Sequence, residues 1–312
     1  MVNHLVQYRE REVHAPSLSP GRRASTMSKE LDDVTDSFDP RAHRARPDEL
    51  AGRVIAITGA SEGLGRAVAL ACARHGATLV LIGRSEKKLE TVHAEIGAAG
   101  GPEAAIGVLD LERALAADYD RLAAAVAERY GRLDGLLHNA GVLGTLAPIE
   151  HYDVPTWCRV LHVNLTAAFA LTQVLLPALK KSTDASVVFT SSSVGRRGRA
   201  YWGAYAVSKF ALEGLSQVLA DELEGTSAIR VNTLNPGRAR TAMRRQAYPA
   251  EDVQTVPVPA ALTAPYVALL GPASRGVTGR AFDAQPPATA AESAAASADS
   301  SSRSSSDSSS RA

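Results

Sequence analysis

The stretch Arg53-Val54-Ile55-Ala56-Ile57-Thr58-Gly59-Ala60-Ser61-Glu62-Gly63-Leu64-Gly65 passes from a short β-branched run into a cluster of glycines, and apolar positions from Leu64 to Ala73 then recur at helical spacing. A strand, a tight turn and a helix are read in that order. In this context glycines let the backbone approach a pyrophosphate closely, and amides at the helix start meet its charge. The bland alternative is a structural strand-to-helix turn in some other α/β protein.

Outward from this unit, apolar runs at 77–82, 104–109, 133–138, 185–191, 228–234 and 278–283 join 53–58 as strands. Helical patterns fill 64–75, 85–98, 115–130, 155–180, 203–224 and 259–270. The strands are largely continuous apolar runs, as parallel strands covered on both faces should be. The expected fold is α/β: a doubly wound, mostly parallel, seven-stranded Rossmann-type sheet with helices on both faces. Pro177 cannot supply an interior helix amide, so the 155–180 segment is expected to bend or break.

A second constellation carries chemistry. Tyr205 and Lys209 are four residues apart, so on a helix they share a face and an ammonium can sit beside a phenol, favouring its ionised form. Such a phenol serves as proton donor or acceptor near neutral pH. Ser192 lies thirteen positions before Tyr205. On an extended segment it points opposite to Ser191 and Ser193. A tyrosine alone in a helix would be read as packed at a core edge; the company of Ser192 and Lys209 argues otherwise.

These marks together resemble the short-chain dehydrogenase/reductase family: the TGxxxGxG pattern at 58–65, Asn139-Ala140-Gly141, Asn164, Ser192, Tyr205-Ala206-Val207-Ser208-Lys209, and Asn235-Pro236-Gly237 followed by Thr241. The match in order and spacing spans roughly residues 50–285. Within the family, the strings 133–141, 189–209 and Phe282-Asp283-Ala284-Gln285-Pro286 are similar to the bacterial YciK-type oxidoreductases. The resemblance implies reversible hydride transfer between a nicotinamide cofactor and a carbonyl or secondary alcohol. It implies a catalytic set of Asn164, Ser192, Tyr205 and Lys209. Tyr205 would move the proton, while Lys209 would hold the nicotinamide ribose and lower the tyrosine pKa. Ser192 would hydrogen-bond the substrate oxygen, and Asn164 would hold a water linking Lys209 to solvent.

Cofactor contacts are expected at Gly59, Ser61, Glu62, Gly63, Leu64 and Gly65, at Arg84, and at Asp110 and Leu111 beside the adenine. Further contacts are expected at Asn139, Ala140, Gly141, Tyr205, Lys209, Pro236 and Gly237, with Thr241 holding the nicotinamide carboxamide. The strand at 77–82 ends in Gly83-Arg84, where no acid is present to bind the ribose hydroxyls of NAD and an arginine can pair with the additional phosphate of NADP. NADP is therefore expected over NAD. Glu62 is discordant, since NADP-preferring relatives often carry a basic residue in the glycine loop.

Composition limits the other classes. The 312 residues are 45% hydrophobic, and 34 basic residues offset 33 acidic ones to a net charge of +1, which gives no argument for a nucleic-acid partner. One core plus tails is the natural division: residues 1–49 as a disordered extension, 50–287 as one domain, and 288–312 as a disordered Ala/Ser-rich tail. The N-terminal stretch has no long apolar segment, so neither a secretory signal nor a transmembrane span is expected. Cys72 and Cys158 suggest neither a disulfide framework nor a metal cluster, and the expected compartment is reducing and cytoplasmic.

Mixed apolar faces on 155–180 and 203–224 suit the paired helical interface of the family and equally a core-facing stripe; a homodimer or homotetramer is what the resemblance implies. The substrate is expected to be a small carbonyl or alcohol. Arg196, Arg197, Arg199, Arg238, Arg240, Arg244 and Arg245 in the specificity loops would suit an acidic compound, and equally an apolar ketone with the arginines facing water. The non-enzymatic alternative is a nucleotide-binding regulatory protein that lost catalysis. The intact set of four argues against it.

Overall fold

A computed structural model describes residues 38–286. The chain runs β1 (Val54–Thr58), α1 (Gly63–Arg74), β2 (Thr78–Gly83), α2 (Glu86–Ala98), β3 (Ala105–Val108), α3 (Ala116–Tyr130), β4 (Gly135–His138), α4 (Val154–Leu161), α5 (Ala167–Leu179), β5 (Ser186–Thr190), α6 (Gly203–Leu223), β6 (Arg230–Asn235), α7 (Ala242–Ala247), α8 (Ala264–Leu270) and β7 (Ala281–Asp283). The strands form one sheet in the order β3-β2-β1-β4-β5-β6-β7, parallel throughout.

Strand residues alternate between faces, and here both faces are dry. Ile55, Ile57, Leu79 and Leu81 pack with α1, α2 and α8 on one side. Val54, Ala56, Val80 and Ile82 pack with α3, α5 and α6 on the other. That double coverage is why the strands read as continuous apolar runs. Winding reverses between β1 and β4, which opens a crevice at their C-terminal ends, the usual place for a ligand in such a sheet.

Four details differ from the sequence expectation. The 155–180 segment is interrupted by a π turn at His162–Thr166, and α5 continues through Pro177, which sits near its C-terminal end. The 259–270 helix is a 3₁₀ turn at Pro259–Leu262 followed by α8, with Pro265 accommodated in the first turn. The short helix α7 falls in a stretch expected to be loop. Residues 38–49, expected to be disordered, pack on the domain. Phe38 meets Phe282 edge-on with centroids 5.7 Å apart, and the buried Glu49 pairs with His43 at 2.7 Å and the Arg46 amide at 2.9 Å. The rest of both expected tails lies outside the described residues.

Val154–Leu179 and Val253–Leu270 are long and apolar enough to cross a membrane by length and composition alone. In the fold Leu171, Leu175, Leu179, Tyr266, Val267 and Leu270 from these stretches are buried in the two core layers.

The opposite edge of the sheet is held by charge. Asp184, just before β5, accepts from Arg53 Nη1 at 3.0 Å, Arg230 Nη1 at 2.5 Å and Arg275 Nη2 at 3.1 Å. Burial raises its pKa, but the guanidiniums of Arg230, Arg53 and Arg275 outweigh this and hold the carboxyl below its ordinary 3.8. Since folding lowers this pKa, the associated stabilisation is complete above 3.8 and is lost as pH falls through the folded value. Asp184→Ala would leave the guanidiniums of Arg53 and Arg230 without their counter-charge. It should cost about 3–5 kcal/mol in urea denaturation; a loss near zero would contradict this account of the sheet edge.

Candidate active site

The crevice begins with one hydroxyl. Thr58 Oγ1, at the end of β1, accepts from the amides of Asn139 and Ala140 at 3.0 Å each and donates to the Leu137 carbonyl at 3.3 Å. All of its hydrogen-bonding capacity joins β1 to the end of β4. Beyond it Gly59 and Gly63 take φ of 66° and 56°, in the left-handed region that favours glycine. A Cβ on Gly65 would lie 2.2 Å from the Gly59 carbonyl oxygen and 2.5 Å from Asn139 Nδ2, so only glycine lets α1 start this close to the strands.

Tyr205, Lys209 and Glu213 follow one another at four-residue spacing on α6 and are all buried. Lys209 Nζ donates to the Thr190 carbonyl at 2.7 Å and stands 5.6 Å from the centroid of the Tyr205 ring. Burial pulls the ammonium down to about 8, with Glu213 opposing the shift. Burial likewise pushes the Tyr205 phenol up to about 12, opposed by a hydrogen bond with Ser192. The expected lowering of the tyrosine pKa is not seen here, because desolvation of the buried phenol dominates.

Ser192 is extended, with φ −159° and ψ 158°, at the end of the stretch leaving β5. Its neighbour Ser191 turns inward to Glu213, with Oγ to Oε1 at 2.5 Å, whereas Ser192 faces the crevice. Asn164, in the π turn, uses its side chain fully: Oδ1 accepts from the Val142 amide at 2.8 Å, and Nδ2 donates to the Val142 carbonyl and to Ser208 Oγ at 3.0 Å each. Thr241 Oγ1 caps α7 by accepting from the Arg244 amide at 3.2 Å.

These residues surround a cavity of about 740 Å³. Of the expected residues, all but Gly65 and Asn164 line it; those two lie behind the wall, one permitting close packing and the other bracing Val142. Arg84 is exposed at the cavity rim. Glu62, the discordant acid, pairs with Lys88 of α2, an ammonium that the pattern of the glycine loop did not disclose. His138 is not a candidate acid or base. It stacks on Phe189, contacts Thr172 Oγ1 at 2.8 Å, and burial drops its pKa to about 3.

Next to Tyr205 the wall is apolar and aromatic, formed by Leu143, Trp202, Met243, Ala247 and Tyr248. Most of the specificity-loop arginines are engaged elsewhere. Arg196 bonds Glu213, Asp283 and the Phe282 carbonyl. Arg199 donates to Tyr248 Oη at 2.6 Å. Arg244 grips Glu251 with two bonds of 2.6 Å and lies 3.7 Å over the Tyr248 ring. Arg238 is 3.9 Å from Glu251, and Arg240 bonds the carbonyls of Val256 and Gln254.

Comparison with known proteins places this geometry. The short chain dehydrogenase family profile matches residues 53–252. The uncharacterized oxidoreductase YciK of Escherichia coli K12 is 49% identical over 244 residues, covering 78% of this chain and 96% of its own. The chain belongs to the short-chain dehydrogenase/reductase family. A short chain dehydrogenase from Shigella flexneri 2a, solved in complex with NADP, has a TM-score of 0.75 at 49% identity over 77% of this chain and 100% of its own. One from Escherichia coli CFT073, solved with NADPH, has a TM-score of 0.75 at 51% identity over the same 77% and 100%. The protein is an NAD(P)-dependent oxidoreductase, as the family and these relatives support.

The residues that the family pattern did not bring forward are Glu213 and Lys88. Both act through partners distant in the chain. The packing at Gly65 yields a direct test. Gly65→Ala should abolish NADPH binding in a fluorescence titration and lower the melting temperature, because the methyl group meets backbone and cannot be relieved by a side-chain rotation. Unchanged binding would mean that the turn is looser than described.

Proposed function

We propose that this oxidoreductase uses NADP(H) to reduce a neutral carbonyl compound, with Tyr205 as the proton donor. The observation that carries this is geometric: the Tyr205 phenol is hydrogen-bonded with Ser192, Lys209 Nζ lies 5.6 Å from its ring centroid, and all three line a cavity whose other end is a glycine turn. The cavity suits the cofactor: helix-start amides answer a pyrophosphate, and Arg84 offers a guanidinium for the additional phosphate. Lys88 offsets the Glu62 charge that would otherwise oppose that phosphate. The two relatives solved with NADP and NADPH support the same choice. When bound, the cofactor supplies the hydride.

The chain's own residues supply the rest. Ser192 directs the substrate oxygen, and Tyr205 donates its proton to that oxygen as charge develops there. Lys209 holds the ribose and keeps a positive charge in a site where low dielectric strengthens it. Asn164, whose side chain braces Val142 and Ser208, is the residue that the family resemblance assigns to a water linking Lys209 to solvent. The wall of Leu143, Trp202 and Met243 favours an apolar carbonyl, and arginines bound to Glu213, Asp283 and Glu251 are not free for an acidic one.

The same reading includes assembly and compartment. Phe169 on α5 and Val207, Phe210 and Val218 on α6 are between 42% and 56% exposed, an apolar face suited to a homodimer or homotetramer. Cys72 and Cys158 are both free, which suits the cytoplasm.

Tyr205→Phe should lower kcat by about 10²–10⁴-fold while leaving NADPH affinity unchanged. Turnover at the wild-type rate would overturn the assignment. Among single alanine variants of the three serines, Ser192→Ala should lose most activity, measured by NADPH oxidation at constant pH; an equal or greater loss at Ser193 would mean that the register is wrong. Light scattering should show a dimer or tetramer, and a monomer at every concentration would contradict the apolar face.

A further inference from the structure

Glu213 follows Lys209 by one turn and Tyr205 by two on the same face of α6. Its buried carboxylate accepts from Ser191 Oγ at 2.5 Å, Thr233 Oγ1 at 2.6 Å and Arg196 Nε at 3.1 Å. Arg196 then reaches the end of β7, with Nη1 donating to Asp283 Oδ2 at 2.9 Å and Nη2 to the Phe282 carbonyl at 2.7 Å. Asp283 Oδ1 accepts from Asn235 Nδ2 at 2.7 Å, and Asn235 Oδ1 accepts from the Gly237 amide at 3.0 Å. Gln285 Nε2 closes the circuit on the carbonyls of Pro236 at 2.6 Å and Arg238 at 2.8 Å.

An unbroken chain of hydrogen bonds therefore runs from the residue beside Ser192, at the end of β5, to the Pro236–Gly237 turn at the end of the neighbouring β6. Folding alone does not call for a charge at its centre, since well-packed apolar residues often replace a buried ion pair without loss of stability. What a carboxylate does here, and an apolar residue would not, is hold three donors from three segments at fixed directions. We propose that Glu213 is a positioning residue: through Ser191 and Arg196 it fixes Ser192 against Tyr205, and through Asp283 and Asn235 the same network fixes the Pro236–Gly237 turn at the neighbouring strand end. The proposal rests on the roles given above to Ser192 and Tyr205. It also gives the Phe282-Asp283-Ala284-Gln285 segment a task, as a clamp on the ends of β5 and β6.

Glu213→Gln isolates the charge. With its amide oxygen toward Ser191 and Arg196 and its nitrogen toward the Thr233 hydroxyl, which can accept, glutamine keeps the contacts but removes the counter-charge that holds the Arg196 guanidinium. NADPH-dependent reduction is compared for wild type, Glu213→Gln, Arg196→Met, Arg196→Lys and the double variant E213Q/R196M, with amide hydrogen exchange on each. Each of the first and second variants should lose kcat by about ten- to a hundred-fold with the KM for NADPH unchanged. The double should fall no further than the worse single, as residues acting as a unit do, and Arg196→Lys should recover part of the loss. Exchange over residues 191–202 and 281–286 should speed up in both single variants, while β1 and α1 keep their protection. Wild-type kcat in Glu213→Gln, losses that multiply in the double, or unchanged exchange in those two segments would overturn the proposal. Failure of the reductase reading itself is distinguishable, as absent turnover in the wild type, and the exchange measurement still decides the role of Glu213.

Discussion

The bond from the Lys209 ammonium to the Thr190 carbonyl, 2.7 Å long and buried, is the contact on which the site depends. An isolated cation in such surroundings is strongly disfavoured, so α6 can bury Lys209 only where a strand end offers an acceptor and a carboxylate lies near. The end of β5 provides the first and Glu213 the second. With that helix anchored, Tyr205 one turn earlier is brought to the cavity wall and Ser192, just past β5, arrives within hydrogen-bonding reach of its phenol. The β1 to β4 junction at Thr58 acts alongside it, since it opens the crevice into which these groups point.

Charge and apolar surface are divided along the cavity. Arg84 lines the end with the glycine turn, and Lys88 pairs with Glu62 beside it. Leu143, Trp202, Met243 and Tyr248 stand at the other, beside Tyr205. The same burial that makes this end apolar raises the phenol pKa, so the apolar wall and the protonated phenol on which the proposed reaction rests have one physical cause.

Local features were legible in the sequence, and features depending on distant partners were not. The strand, glycine turn and helix at 53–74 could be read because each depends on its immediate neighbours, and the alternation of such units disclosed a parallel α/β sheet, whereas the strand order came from the structure. Arg196 reads as a specificity-loop arginine because its acceptors, Glu213 and Asp283, lie 17 and 87 residues away. Lys88 is likewise 26 residues from Glu62. The expected effect of Lys209 on Tyr205 followed from four-residue spacing, which gives proximity but neither the direction of the ammonium nor the cost of burying the phenol. The π turn at Asn164 left no mark in apolar periodicity, whereas Pro177 drew the expected break to the wrong end of the segment.

Hydride delivery to carbon beside a proton donated by a buried phenol is the central chemical claim, and isotope transfer tests it most directly. NADPH carrying deuterium at the transferable position of its nicotinamide is incubated with the protein and a panel of apolar ketones, and the alcohols are examined by proton nuclear magnetic resonance. The structure predicts deuterium bound to the carbinol carbon of at least one product. Alcohol formed without that label, or no reduction of any neutral ketone alongside turnover of carboxylated ones, would contradict it.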